Sequence, residues 1–298
     1  MAKLGDWLRE IRVPFLTLPV ALVFLGSSAA AYAGFFNIWR ALVALFGLLA
    51  LHISVNVFNE YSDYKRGIDF DTVNTPFSGG TKMLVEGRVK ARSALLMGII
   101  TLLIGTIIGV FFVWLTGVWL LPVLILGVLA IVLYTDLFAR TGLGELFAGL
   151  GLGLLPVLGA YFVQTENYAF PAWAAGIPAG ILTANLLLLN EFPDVEADRK
   201  GGRKNLILMF GRRPGGMIYT LTLVFMYIWI IAMVVAGVIP VYCLAGLLTI
   251  VIAIKPIKWA WAGGTNRDNL LPALGANVIV NHVTQILLGL GFIAAMYL

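Results

Sequence analysis

The sequence predicts an all-α, polytopic membrane protein of nine transmembrane helices, built as two four-helix halves plus a ninth helix around a central cavity. Three observations lead there. The 298-residue chain is 60% hydrophobic and only 12% charged, about half the charged fraction of aqueous globular domains, and its mean hydropathy is +0.95. Charge-free runs occupy residues 13–39, 41–59, 93–135, 146–165, 167–190, 214–254 and 269–298, and about 20 apolar residues suffice to cross the hydrocarbon core. The runs are continuous rather than alternating, which favours helices over a barrel, since each helix satisfies its own backbone groups.

Taken in order, run 13–39 supplies the first span. Ala31-Tyr32-Ala33 superficially resembles a signal-peptidase site. The apolar segment before it is long, however, and Asp6 and Glu10 spoil the charged start, so an uncleaved first helix is expected. Run 41–59 supplies the second span. Run 93–135 is long enough for two spans and should divide near Thr116-Gly117. Runs 146–165 and 167–190 give the fifth and sixth. Gly149, Gly151, Gly153 and Gly159 of the fifth stand where small residues let helices approach closely. Run 214–254 again holds two spans, with its break at residues 237–240, and run 269–298 gives the ninth.

Orientation follows from Lys and Arg. With the spans numbered, 19 of the 20 basic residues fall in the N-terminal segment and the loops after spans 2, 4, 6 and 8, and only Arg40 lies on the other face. The N-terminus is expected to be cytoplasmic and the C-terminus outside. The net charge of +5 therefore reflects topology and phosphate chemistry, not nucleic-acid binding. The lone Cys243 excludes an internal disulfide. No linker divides the chain, and residues 1–298 are expected to form one domain. The two long polar loops follow spans 2 and 6, a four-helix offset that suggests a parallel repeat.

Those loops begin with a repeated pentapeptide, N-E-Y-S-D (59–63) and N-E-F-P-D (190–194). Asn59 and Asp63 stand four residues apart, and Asn190, Asp194 and Asp198 extend the same spacing, so each set shares a helix face. Both sit at the negative pole of the helix dipole, where carboxylates are unfavourable unless a cation neutralises them. Hard oxygen ligands without His or Cys favour Mg²⁺, an ion that keeps waters and takes substrate phosphates as further ligands. Lys65, Arg66 and Lys82 follow the first motif, and Arg199, Lys200, Arg203 and Lys204 the second. Two acid clusters with basic neighbours on one face suggest a diphosphate held between two metal ions. Beside lipid, the rest of that substrate reads as a long hydrocarbon, hence a polyprenyl diphosphate. Charges at one helix end are ordinarily a solvated loop; the duplication at equivalent positions argues otherwise.

In these residues the chain resembles the UbiA superfamily of intramembrane prenyltransferases, through N-E-Y-S-D-Y-K-R-G-I-D (59–69) and N-E-F-P-D-V-E-A-D-R-K (190–200). I-R-V-P-F-L-T-L-P (11–19) is similar to the family's entry to helix 1. N-T-P-F-S-G-G-T-K-M-L-V-E-G (74–87), G-L-G-E-L-F (142–147) and V-L-G-A-Y-F-V-Q-T (157–165) resemble the branch that prenylates 1,4-dihydroxy-2-naphthoate for menaquinone. The resemblance implies two Mg²⁺ ions that bind and activate the diphosphate, departure of pyrophosphate, and attack of an electron-rich acceptor on the allylic cation. It implies Asp63, Asp69, Asp194 and Asp198 as the catalytic acids, with Asn59 and Asn190 joining them as metal ligands.

Two departures from the family pattern stand out. Glu60 replaces the usual Asp after the first Asn. The place four residues after Asp63 is Gly67, with Asp69 two residues later. Six residues rotate a helix by about 240°, so Asp69 contributes only if the chain unwinds at Gly67; the menaquinone-like branch has the same spacing, and Asp71 competes for the role. Arg12, at the mouth of helix 1, is an acceptor contact by resemblance or else a topology anchor. Tyr134, Asp136 and Arg140 lie in the loop between spans 4 and 5, with Arg140 a phosphate contact or a solvated residue.

Tyr134, Phe147, Tyr161 and Phe162 are candidates to face the cation or simply to pack. His52 and Asn56 carry the Asn59 face into the membrane, as cavity lining or interhelical hydrogen bonds. Asn185 and the stripe Asn277, Asn281 and Gln285 read as interhelical glue. Trp7, Trp39, Trp119, Trp173 and Trp259 read as interfacial belt residues. Two other functions compete: prenylation of a lipid alcohol such as geranylgeranylglyceryl phosphate, and cation transport. Transport sites usually sit near the bilayer midplane, whereas these motifs lie at span ends.

Overall fold

The computed structural model describes residues 2–72 and 75–298. Among them it has no strand, and nine helices are long and apolar enough to cross a membrane. They are α1 (Val13–Tyr32), α2 (Ile38–Arg66), α3 (Ala91–Thr116), α4 (Val118–Thr141), α5 (Gly144–Thr165), α6 (Phe170–Lys200), α7 (Arg212–Val235), α8 (Val241–Trp261) and α9 (Leu270–Ala294). The protein is a multi-pass, all-helical membrane protein. Both long runs break where expected. Gly117, at φ +106°, ends α3 in a conformation side chains avoid, and α7 stops at Val235 before the turn at Gly237 and Pro240.

Successive helices pack side by side, and α9 returns to α1, so the chain closes on itself, with α1, α5, α6 and α9 the most buried of the nine. Trp39, Trp114 and Trp119 are exposed. Trp259 does not join that belt: it is buried, tilts against Phe192 at 5.4 Å and donates from Nε1 to Asn266 O at 2.8 Å. The glycines of α5 lie where small residues are required. A Cβ on Gly149 or Gly153 would meet the backbone of α6 at Gly180 or Ala179, within 2.7 Å.

Arg40, the one basic residue expected on the opposite face, is anchored there. Its Nη1 donates to Val163 O at 2.9 Å and to Glu166 at 3.2 Å, and Asn37 caps the start of α2. Asn277 Nδ2 donates to Asn185 O at 3.2 Å and its Oδ1 accepts from Tyr219, while Gln285 Nε2 donates to Asn281 Oδ1. That polar stripe joins α6, α7 and α9 away from the cavity.

Candidate active site

The end of α2 explains how the first motif works with its unusual spacing. The helix continues to Arg66, so Asn59 and Asp63 share a face. Gly67 then adopts φ +80°, ends the helix and reverses the chain into a short turn of helix, Ile68–Asp71. The reversal turns Asp69 inward, where it is buried against Gly80; a Cβ on Gly80 would stand 2.5 Å from its Oδ1. Asp71 stays exposed and pairs with Lys200 Nζ at 2.8 Å. Burial, with the charges of Glu60 and Asp63 nearby, pushes the Asp69 carboxyl up to about 8. Asp69→Asn is expected to lower turnover by at least about tenfold, the scale of a lost charged contact in a dry site, while Asp71→Asn leaves it within about twofold. The reverse order in a pyrophosphate-release assay would move the third acid to Asp71.

Asn190, Asp194 and Asp198 face the same cavity from α6, opposite Asn59, Asp63 and Asp69. About 1020 Å³ of open space, mouth included, lies between them. Asn190 Oδ1 and Asp194 Oδ1 are buried with no hydrogen-bond partner. Bare oxygens of this kind are costly in a protein interior, and two of them aimed at one acid-lined space fit a divalent cation. Among the described residues no group of three or more His, Cys, Asp or Glu side chains is placed to hold a metal ion by itself.

Arg203 joins the two halves. Its Nη2 donates to Asn59 Oδ1 at 3.2 Å and to both Asp63 oxygens, and its Nη1 pairs with Asp198 at 3.4 Å. Burial works against its charge, yet Asp63 and Asp198 hold it protonated. The two acid-bearing helix ends therefore meet across one site and lie on one face of the molecule. In the sequence Arg203 is one of several loop cations. What singles it out is the Gly201-Gly202 turn before it, with Gly202 at φ +74°, which folds the chain back over the cavity.

Of the other expected substrate contacts, Arg12 and Tyr134 line the cavity. Arg12 donates through Nε to Glu60 at 2.9 Å. Tyr134 opens the π-helical turn Tyr134–Phe138 that ends α4, a distortion common at functional sites. The remaining six do not line it. Lys82 Nζ donates to Thr72 O at 2.9 Å and to Asp69 O, knitting the loop that holds Asp69. Arg66 Nη2 pairs with Asp136 at 2.6 Å and Arg199 with Glu196 at 3.1 Å. Lys65 lies over the Tyr61 ring. Lys204 is exposed, and Arg140 flanks Gly202.

His52 and Asn56 do line the cavity. Phe147 instead stacks on Phe138 at 3.5 Å, and Tyr161 and Phe162 are packed in the core. Phe15 and Phe77 supply the aromatic wall that composition alone did not single out. The start of the loop motif at Asn74 lies outside the described residues.

Glu60, the departure from the family's Asp, does not line the cavity. It accepts from Arg12 and from Thr81 N and Oγ1 at 2.9 Å, bracing the loop. Glu10 joins this network through Thr81 Oγ1 at 3.2 Å, and burial beside Glu60 pushes it up to about 7. A carboxyl raised from 4.5 to about 7 stabilises the fold fully below its unfolded value and loses that contribution as pH climbs through 7. Glu10→Gln should therefore raise stability at pH 8, by at most about 3 kcal/mol, with little effect at pH 4.5. Thermal unfolding at the two pH values checks this.

A second, almost wholly apolar cavity of about 810 Å³, mouth included, adjoins the first: His52 and Leu152 line both, and its walls come from α1, α2, α3, α4 and α5. A polar space at the helix ends thus lies beside an apolar one within the span.

The UbiA prenyltransferase family model matches residues 19–273, most of the chain. The protein is a UbiA-family prenyltransferase. It is 27% identical over 299 residues to a 1,4-dihydroxy-2-naphthoate octaprenyltransferase of Bacillus subtilis, covering 99% of this chain and 94% of that one. Among solved structures, the fold matches a UbiA homolog from Aeropyrum pernix with a TM-score of 0.71 at 18% identity, over 93% of this chain and 98% of that one. It also matches a UbiA homolog from Archaeoglobus fulgidus bound to GPP and Mg²⁺, with a TM-score of 0.62 at 17% identity, over 97% and 99%.

Proposed function

We propose that this UbiA-family enzyme transfers a polyprenyl group from a polyprenyl diphosphate to a 1,4-dihydroxy-2-naphthoate-like aromatic acceptor, releasing pyrophosphate. The observation that carries the reading is the pair of acid-bearing helix ends closing on one space, with unpartnered oxygens at Asn190 and Asp194. Two Mg²⁺ ions, one on Asn59, Asp63 and Asp69 and one on Asn190, Asp194 and Asp198, would neutralise the departing pyrophosphate. Arg203 stands within reach of both sets and adds positive charge where the leaving group develops negative charge. The adjoining apolar cavity accommodates the prenyl tail. Phe15, Phe77 and Tyr134 present aromatic faces near the head of that tail, where they favour a cation and exclude water.

A side pocket lined by Arg9, Arg12, Phe15 and Phe77 offers guanidinium groups beside phenyl faces, which complements a planar aromatic acid. Residues 1–298 act as one domain in this reading, with the N-terminus and the acid-bearing loops cytoplasmic and the C-terminus outside, as the Lys and Arg distribution supports. The test is a membrane assay with labelled prenyl diphosphate and a panel of aromatic acids and glycerol phosphates. A Mg²⁺-dependent prenyl-naphthoate product is expected. A prenylated glycerol phosphate would move the enzyme to the lipid-alcohol class, and ion flux in liposomes without any prenyl product would make it a transporter.

A further inference from the structure

Six glycines line the apolar cavity: Gly47, Gly105, Gly109, Gly127, Gly151 and Gly159. Four of them serve helix packing. A Cβ on Gly47 would press Ile108 at 2.8 Å, on Gly105 Leu51 at 2.5 Å, on Gly109 Leu124 at 2.4 Å and on Gly151 Ala130 at 2.8 Å. Gly159 has one ordinary neighbour, Val123 at 3.5 Å. Gly127 has none: nothing lies within 4 Å of where its Cβ would stand. It sits in the middle of a regular stretch of α4, Leu121–Leu133, at a backbone conformation any residue adopts, so neither a turn nor a close approach requires glycine there. Glycine costs a helix interior about 1 kcal/mol relative to alanine. What the missing side chain leaves is open cavity.

The position of Gly127 along the cavity gives that space a meaning. Tyr134, at the head of the site, is seven residues further along α4, a distance of about 10 Å at the helical rise. Val123 and Leu120 line the cavity beyond Gly127, one and two turns deeper. A prenyl tail that runs from the acid-bearing end into this adjoining cavity reaches Gly127 only after its first isoprene units, and it needs that space only if it is long.

We infer that Gly127 determines donor chain length, by keeping the apolar cavity open to the distal part of a long prenyl tail. The inference rests on the proposed prenyl diphosphate substrate and adds which residue selects its length. A bulky side chain at 127 closes the deep end and leaves the head of the site untouched, so it discriminates between donors without altering the chemistry.

The experiment compares geranyl and octaprenyl diphosphate as donors to 1,4-dihydroxy-2-naphthoate, with the full chain in native-like membranes, for wild type, Gly127→Val and Gly127→Phe. The expected result is a kcat/KM for the octaprenyl donor lower by at least about tenfold in Gly127→Phe, the scale on which filling an apolar pocket discriminates. The geranyl value should stay within about threefold, and Gly127→Val should fall between. Retained geranyl transfer also reports that the variant is folded. An unchanged ratio of the two donors in Gly127→Phe overturns the inference, as does a parallel loss of both donors in Gly127→Val. Failure of the wild type to transfer either donor would count instead against the substrate reading on which the inference rests.

Discussion

Asp194→Ala is expected to lower Mg²⁺-dependent pyrophosphate release by about a thousandfold or more while leaving the protein folded. The size follows from the chemistry. A diphosphate leaves only when its growing charge is neutralised, and single preorganised groups that do so are worth about 10²–10³ in rate; a lost metal site removes more than one such contact. The folding half follows from the structure. Asp194 Oδ1 is buried without a hydrogen-bond partner, so its removal deletes a cost and breaks no contact of that oxygen. Asp63→Ala should match it in rate but not in stability, since Asp63 is a partner of Arg203. Turnover retained in either variant would rule out paired acid sites acting on one diphosphate.

Arg203→Gln should produce the second large effect, and its signature is a dependence on metal. Arg203 supplies positive charge among Asn59, Asp63 and Asp198. Removing one member of a buried ion pair typically costs about 3–5 kcal/mol, because the remaining charge is left uncompensated. The variant should therefore unfold at a markedly lower temperature than wild type in EDTA. Mg²⁺ should return most of the difference, because the ion then neutralises the same carboxylates. Turnover stays depressed even at saturating Mg²⁺, since the guanidinium is no longer there to meet the leaving pyrophosphate. Thermal unfolding with and without Mg²⁺, run beside the rate assay, separates the two roles. A loss of stability that Mg²⁺ does not repair would make Arg203 a purely structural tie between the halves.

The fold was legible in the sequence to the level of individual breaks, because hydropathy and glycine act locally. Gly117 and the stretch around Gly237 and Pro240 interrupt long apolar runs for reasons visible in the residues themselves. That the paired acids would face one cavity was legible for the same reason, as a spacing of four on helices that run on as long continuous elements. The requirement that the chain turn at Gly67 for Asp69 to reach the site could also be written from periodicity, and Gly67 at φ +80° supplies that turn.

Arg203 was not legible. Its charge is the same as that of Arg199 and Lys204, and only the path of the chain after Gly202 brings it between the halves. The aromatic wall was only partly legible for a related reason: Tyr134, Phe147, Tyr161 and Phe162 could equally face a cavity or pack, and only Tyr134 lines it. Phe147, Tyr161 and Phe162 lie on helices near the site but turn into packing, whereas Phe15 and Phe77 come from the helix 1 entry and a loop. Trp259 sits near a span end, as belt residues do, but its burial depends on Phe192 in another helix, a contact that position in the sequence does not reveal.

The most direct test of the account is a structure of the protein soaked with Mn²⁺ and a non-hydrolysable prenyl thiodiphosphate, read by anomalous scattering from the metal. The account predicts metal density on both sides of a single diphosphate, one peak against Asn59, Asp63 and Asp69 and the other against Asn190, Asp194 and Asp198, with Arg203 released from Asp63. Metal confined to one helix end, or a diphosphate bound with Arg203 still locked between the acids, would contradict it.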